Sequence, residues 1–137
     1  TTLVGLVIFY IGLKMFSGGM KSMGNLDHLS YFTHNIYYMF LGGIIMTILW
    51  QSSSLSTTAI IALVASGAIP LPAAIAAVLG ANIGTTGTIW LAGVLVSDGM
   101  PKGDTLRIAM AHTGANLVMG LALLPFVGRI AQFLSRF

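Results

Sequence analysis

Apolar residues fill most of the chain, and the polar positions that interrupt them fall either between apolar blocks or in their middles. Residues 3–23 form an apolar block compatible with one helix, and its Lys14 and Lys21 are long enough to reach an interface from the end of a tilted helix. Residues 24–35 are the most polar stretch of the first half, flanked by Tyr31, Tyr37 and Tyr38, and read as an elbow lying at a membrane surface. Residues 36–66 are apolar at both ends and polar in the centre, where Gln51-Ser52-Ser53-Ser54-Leu55-Ser56-Thr57-Thr58 stands. Two full spans need ~40 residues, so this block predicts a re-entrant helical hairpin with the QSSS run at its tip; one long tilted helix is the other reading. Ser66-Gly67-Ala68-Ile69-Pro70 is a turn signal.

Residues 71–96 are apolar except for Gly80-Ala81-Asn82-Ile83-Gly84-Thr85-Thr86-Gly87-Thr88. Its glycines, with Asn and Thr between them, favour unwinding and predict a transmembrane helix broken near its centre. Residues 97–104 are a polar turn ending in Asp104, an expected N-cap. A last transmembrane helix over 105–125 and a short amphipathic tail over 126–137 complete an all-α membrane protein.

Polar groups at membrane depth are costly unless satisfied, and irregular backbone survives there only inside protein or along a wet cavity. The first interruption supplies one amide and six hydroxyls in eight residues. If a half-helix starts beside Ser52–Ser54, its free N–H groups and positive dipole end make an anion site without Lys or Arg. Unwound carbonyls at Gly80–Gly84 suit a sodium ion. Packing is the competing explanation, because Ser and Thr are ordinary in membrane helices and Gly80-x-x-x-Gly84 is a helix-packing pattern. Two interruptions in consecutive blocks favour the site, since packing requires neither the Gln nor the hydroxyl run. In the last helix Thr105, His112 and Asn116 share a face. His112 reads first as an interhelical contact and second as a ligand. His28 and His34 read as interfacial, with no metal pattern between them.

Composition narrows the class. With 56% hydrophobic and 7% charged residues, the chain lacks the charged surface of a soluble domain and is too apolar for disorder. The net charge of +3 comes from scattered bases with no stacking aromatics beside them, which argues against nucleic acid. The absence of Cys removes disulfides and thiolate chemistry. No carboxylate pair and no nucleophile elbow is present, so an enzyme is not expected, and the lack of Glu argues against a proton-coupled cation exporter. No signal peptide is expected at Leu3–Leu13; the chain does not begin with Met and reads as trimmed or as part of a longer protein. Lys14, Lys21, Arg129 and Arg136 fall on one predicted side and Lys102 and Arg107 on the other, a bias small enough for insertion in both orientations.

Gln51-Ser52-Ser53-Ser54, then Ser56-Thr57-Thr58, then Gly80-Ala81-Asn82-Ile83-Gly84-Thr85-Thr86, then Ala111-His112 with Asn116, resembles the sodium/phosphate cotransporter family, type II and its bacterial relatives. The resemblance runs from about residue 10 to 125 and includes Gly12-Leu13-Lys14-Met15. It implies sodium-driven uptake of inorganic phosphate in a bacterial cytoplasmic membrane, with no cofactor besides the coupling sodium. By matching positions it assigns Gln51, Ser52, Ser53, Ser54, Asn82, Thr85 and Thr86 to phosphate. To sodium it assigns Gln51, Ser56, Thr57, Thr58, Gly80, Asn82, Thr85 and Asn116, with His112 accessory. The family carries two QSSS repeats in inverted orientation and this chain carries one; an aromatic is usual near Ala115. A lone repeat predicts an antiparallel homodimer, or a second repeat-bearing subunit, that completes the site. The same fold moving sulfate, arsenate or a carboxylate, and a non-transporting assembly protein, are the competing functions.

Overall fold

The computed structural model describes residues 2–23, 27–96 and 102–137, and every regular element among them is helical. The first apolar block, with Lys14 and Lys21 inside it, forms α1 (Thr2–Met23). The expected elbow contains a short helix, α2 (Asp27–His34), while residues 24–26 and the side chains of Lys21 and His28 lie outside the described residues. Asn35 starts α3 (Ile36–Trp50): its backbone is extended and its Oδ1 accepts from the N–H groups of Tyr37 (2.9 Å) and Tyr38 (3.3 Å). That covers two of the four donors a helix start leaves open.

The polar centre of the 36–66 block stops the helix. Gln51 is left-handed (φ 53°, ψ 25°) and Ser52 is extended (φ −148°, ψ 103°), its Oγ accepting from Leu55 N–H at 3.2 Å to cap α4 (Ser53–Ala65). One long tilted helix is therefore ruled out. The halves, 15 and 13 residues, extend ~22 and ~20 Å, each shorter than a ~30 Å hydrocarbon core. α4 closes at Gly67 (φ +74°), where Ala68 N–H reaches the Leu63 carbonyl at 2.9 Å, a glycine-dependent ending of the expected kind.

α5 (Leu71–Val96) corrects the sequence reading: it runs unbroken through Gly80–Thr88. The glycines serve packing instead. A Cβ on Gly80 would overlap the Phe40 carbonyl oxygen; on Gly84 it would lie 2.6 Å from the Ile44 oxygen; on Gly87 it would lie 2.9 Å from Ile48 Cγ1. These contacts rise together along both helices, so α3 and α5 run parallel in close contact, the most extensive in the fold, with α4 returning between their ends. Thr85 and Thr86 do not unwind the helix because their hydroxyls donate to their own helix's carbonyls, Ala81 (2.9 Å) and Ile83 (2.7 Å). The penalty of each glycine, about 1 kcal/mol, is offset by dispersion across the close approach.

α6 (Gly103–Leu123) runs back along α5, with Gly120 against Ile83 and Trp90 bonded to Thr113. Its N-cap is Lys102, without a side-chain cap bond; Asp104 lies inside the first turn and pairs with Arg107 at 2.9 Å, so the expected Asp104 cap is not observed. Residues 97–101 of the expected turn lie outside the described residues. A 3-10 turn at Leu124–Phe126, containing Pro125, leads into α7 (Val127–Leu134), whose Val127 and Ala131 are buried. Phe40, Ala76, Leu124 and Val127 form one core cluster near the start of α5, and Ile60, Leu63, Ile69, Ala74 and Ala77 form another. Two stretches, Leu71–Ala92 and Gly103–Leu134, are long and apolar enough to cross a membrane. Large apolar side chains stand exposed along α1 (Leu3, Val4, Ile8) and α6 (Ile108, Val118, Leu121), a surface unlike that of a soluble monomer.

Candidate functional site

The break at Gln51-Ser52 produces two opposite helix poles within a few residues. α3 ends in carbonyls and carries partial negative charge; α4 begins with N–H groups and carries partial positive charge. Gln51 spans the break: its N–H donates to the Thr47 carbonyl at 2.9 Å and its side-chain amide donates to the Ile48 carbonyl. Leu55 N–H is taken by Ser52 Oγ and Ser56 N–H by the Ser52 carbonyl. The N–H groups of Ser53 and Ser54, at the first two positions of α4, are donors that the helix itself cannot satisfy.

This tip faces α5 and α6 across a cleft of about 350 Å³. Gln51, Ser52, Ser53 and Ser54 form one wall; Thr85, Thr88 and Ile89 of α5 and His112 of α6 form the other. Among the described residues no Lys, Arg, Asp or Glu lines it, and His112 is its one titratable side chain. Among the described residues no group of three His, Cys, Asp or Glu could hold a metal ion. The cleft thus offers hydroxyls, amides and a helix start, which can hold an anion by neutral hydrogen bonds.

The remaining residues named from sequence are distributed around it. Asn82 is exposed, one turn before Thr85 on the same side of α5. Asn116 lies one turn from His112 and donates to its carbonyl at 2.9 Å. Thr57 and Thr58 follow the tip on α4, with the Thr58 hydroxyl donating to the Ser54 carbonyl at 2.7 Å. Ser56 is fully buried and donates to the Ser52 carbonyl at 3.0 Å, and Thr86 is buried too. Gly80 lies beneath Phe40. Because α5 is unbroken, the free carbonyls expected at Gly80–Gly84 are instead engaged in helical bonds.

Sequence reasoning missed several participants. Thr88 and Ile89 join the wall because they follow Thr85 by three and four residues, a spacing readable only once the helix is known to be continuous. Trp90 Nε1 donates to Thr113 Oγ1 at 2.9 Å, tying α5 to α6 next to His112. These positions are 23 residues apart, and no sequence signal links them. Trp90→Phe is expected to lower stability by about 1 kcal/mol, the net worth of such a bond. Thr113→Val should lower it similarly, and the double variant should cost little more than either alone. Thermal melting of the three variants checks this; strictly additive losses would mean the bond contributes nothing.

A family model described as Na+/Pi-cotransporter matches residues 8–134. The chain is similar to sodium-dependent phosphate transport protein 2A of Rattus norvegicus, 37% identical over 89 residues, covering 61% of this chain and 13% of that protein. It is also similar to sodium-dependent phosphate transport protein 2B of Bos taurus, 42% identical over 81 residues, covering 59% of this chain and 12% of that protein. These relatives are transport proteins by name, not enzymes, and the match spans about an eighth of their length. No solved structure matches the chain.

Proposed function

The chain belongs to the Na+/Pi-cotransporter family, and from that premise we propose that it is one repeat of a membrane-embedded, sodium-coupled transporter of inorganic phosphate. The observation that carries this reading is the cleft itself, where the start of α4 and the Ser52–Ser54 hydroxyls meet Thr85, Thr88 and His112 with no fixed charge among the described lining residues. A phosphate bound by Ser53, Ser54, Thr85 and the α4 N–H groups is held by neutral donors and by the positive helix end. With no lysine or arginine among the described lining residues, it can also be released.

Coupling follows from the two poles of the tip. A sodium ion sits best near the carbonyl end of α3, where Gln51 and Thr85 line the cleft, with Thr57, Thr58, Asn82 and Asn116 as further candidate oxygen donors. Phosphate sits best at the start of α4. Bound side by side in a poorly solvated cleft, cation and anion attract strongly, so each raises the affinity for the other. Movement of the loaded tip against a scaffold then changes which side the cleft faces.

One repeat supplies part of such a site. The second part comes from an inverted copy, a homodimer with a two-fold axis in the plane of a bacterial cytoplasmic membrane, the hairpins re-entrant and the longer helices spanning. In support, Lys14 lies beside the end of α4 while Lys102 and Arg107 lie at the far end of α5 and α6, a charge distribution without a strong orientation preference.

Two measurements test the proposal. Proteoliposomes containing the purified chain are expected to take up labelled phosphate under an inward sodium gradient and not under a choline gradient; equal uptake in both would reject sodium coupling. The chain has no native Cys, so Ser135→Cys or Lys102→Cys gives a single labelling point at one end. In intact cells each variant is expected to react with an impermeant thiol reagent in about half of its copies, the inverted-pair ratio. Labelling of all copies at one end and none at the other, with no partner repeat present, would sink the antiparallel homodimer.

A further inference from the structure

We infer that the Thr47 hydroxyl is an oxygen ligand for a monovalent cation held at the base of the serine-tip cleft, an inference that rests on the sodium-coupled reading above. Thr47 is fully buried, and its Oγ1 is the one buried side-chain oxygen or nitrogen among the described residues with no hydrogen-bond partner. That is not the ordinary fate of a hydroxyl in these helices. Ser56, Thr58, Thr85 and Thr86 each donate to a carbonyl three or four residues back. An unpaired buried hydroxyl is a net penalty to folding, so its presence calls for a partner outside the chain.

Its position indicates which partner. Thr47 stands four residues before Gln51 and its Cβ faces Gly84, which stands four residues before Thr88. Gln51 and Thr88 both line the cleft, and residues four apart lie one helical turn above each other on one face. The hydroxyl is therefore one turn beneath the cleft floor. The Ile44 carbonyl oxygen faces the same glycine: a Cβ there would lie 2.6 Å from that oxygen and 2.8 Å from Thr47 Cβ. Glycine at 84 lets α5 approach Thr47 and the Ile44 carbonyl one turn beneath the cleft. This is also the last turn of α3, whose dipole favours a cation, and half-helix ends of this kind suit sodium. The oxygen donors are neutral, which fits a monovalent ion rather than calcium, whose sites use carboxylates.

The test compares Thr47→Val, Thr47→Ala and Thr47→Ser with the unmodified chain, using thermal melting in sodium or choline at fixed ionic strength and phosphate uptake against sodium concentration. Valine replaces the hydroxyl by a methyl group of similar shape, so melting in choline is expected to stay unchanged or rise, because the penalty of the unpaired hydroxyl is removed. At a given concentration sodium should raise the melting temperature of Thr47→Val less than that of the unmodified chain, and half-maximal uptake should require about tenfold more sodium, the effect of losing one ion–oxygen contact. Thr47→Ser, which keeps the oxygen, should stay within about threefold of the unmodified chain. Thr47→Ala makes the same comparison without β-branching if valine prevents assembly. Unaltered sodium dependence in Thr47→Val or Thr47→Ala would overturn this inference and leave the transport reading standing. An unmodified chain that shows neither sodium-dependent melting nor sodium-dependent uptake would overturn both.

Discussion

Ser53→Ala is expected to abolish sodium-dependent phosphate uptake while leaving the chain folded and its assembly intact. Ser53 is the first residue of α4 and lines the cleft, and no hydrogen bond within the chain depends on its hydroxyl among the described residues. Alanine is the better helix former, so stability should change by no more than about 0.5 kcal/mol, the usual range for substitutions away from buried features. The loss falls on the substrate. A hydrogen bond to a charged group contributes about 1.5–3 kcal/mol, which is ~10- to 150-fold in phosphate affinity. Gln51→Ala should be as damaging, although there the backbone contributes as well. Gln51 holds a left-handed conformation at φ 53°, which glycine adopts more readily than alanine. Gln51→Gly therefore removes the amide while easing the turn, and should lose uptake without losing thermal stability. Ser52→Ala makes a contrasting control. It deletes the cap bond to Leu55 and should lower stability by about 1 kcal/mol. Initial uptake rates against phosphate concentration, read beside size-exclusion profiles, separate these cases. Full uptake by both Ser53→Ala and Gln51→Gly would remove the cleft as the substrate site.

The break between α3 and α4 was legible in the sequence because its signal is one of length and position. Thirty-one residues, polar at the centre, are too few for two spans, and the break falls where the hydroxyls and the amide compete with the helix for the backbone. The opposite wall of the cleft was only partly legible. Thr85 was assigned to the site; Thr88, although part of the same polar run, was not, and Ile89 was not named, because a helix read as broken has no fixed face beyond the break. Asn82 and Asn116 were named by resemblance, but helices apolar on all sides carry no periodicity to show which face meets a neighbour. The structure leaves Asn82 exposed and gives the Asn116 amide a bond within its own helix. Thr47, in the apolar half of α3, gave no sign that its hydroxyl would be left unpaired, since that depends on how closely Gly84 approaches. The glycines were misread because one residue type serves two opposed purposes. A missing Cβ loosens an isolated helix, and the same missing Cβ tightens a helix against a neighbour's backbone.

That opposition sets up the second large effect, Gly80→Ala, which is expected to destroy the assembly rather than to rigidify a working site. The added methyl would overlap the Phe40 carbonyl oxygen and sit 2.9 Å from the Phe40 carbonyl carbon and 3.1 Å from Ile44 N. These are backbone atoms of α3 and cannot rotate away, so α3 as a whole must withdraw. Overpacking of this kind costs about 1–3 kcal/mol, and withdrawal also uncovers the contact between α3 and α5 on which the core is built. Since α3 ends at the QSSS tip and α5 carries Thr85 and Thr88, the walls of the cleft separate and uptake is lost with the fold. Gly84→Ala, 2.6 Å from the Ile44 oxygen, should behave alike. Gly42→Ala and Gly114→Ala are the controls: nothing lies within 4 Å of either position, and alanine should be neutral or stabilise its helix by up to about 1 kcal/mol. An unwound segment predicts the reverse pattern. If Gly80 served to break the helix, alanine there would give a monodisperse protein that melts higher and fails only in uptake. Size exclusion and melting of Gly80→Ala beside Gly42→Ala therefore decide between a broken helix and a packed one without reference to transport. Aggregation or a large drop in melting temperature for the first, with no change for the second, is the expected result, because only the first places a side chain where a backbone already runs.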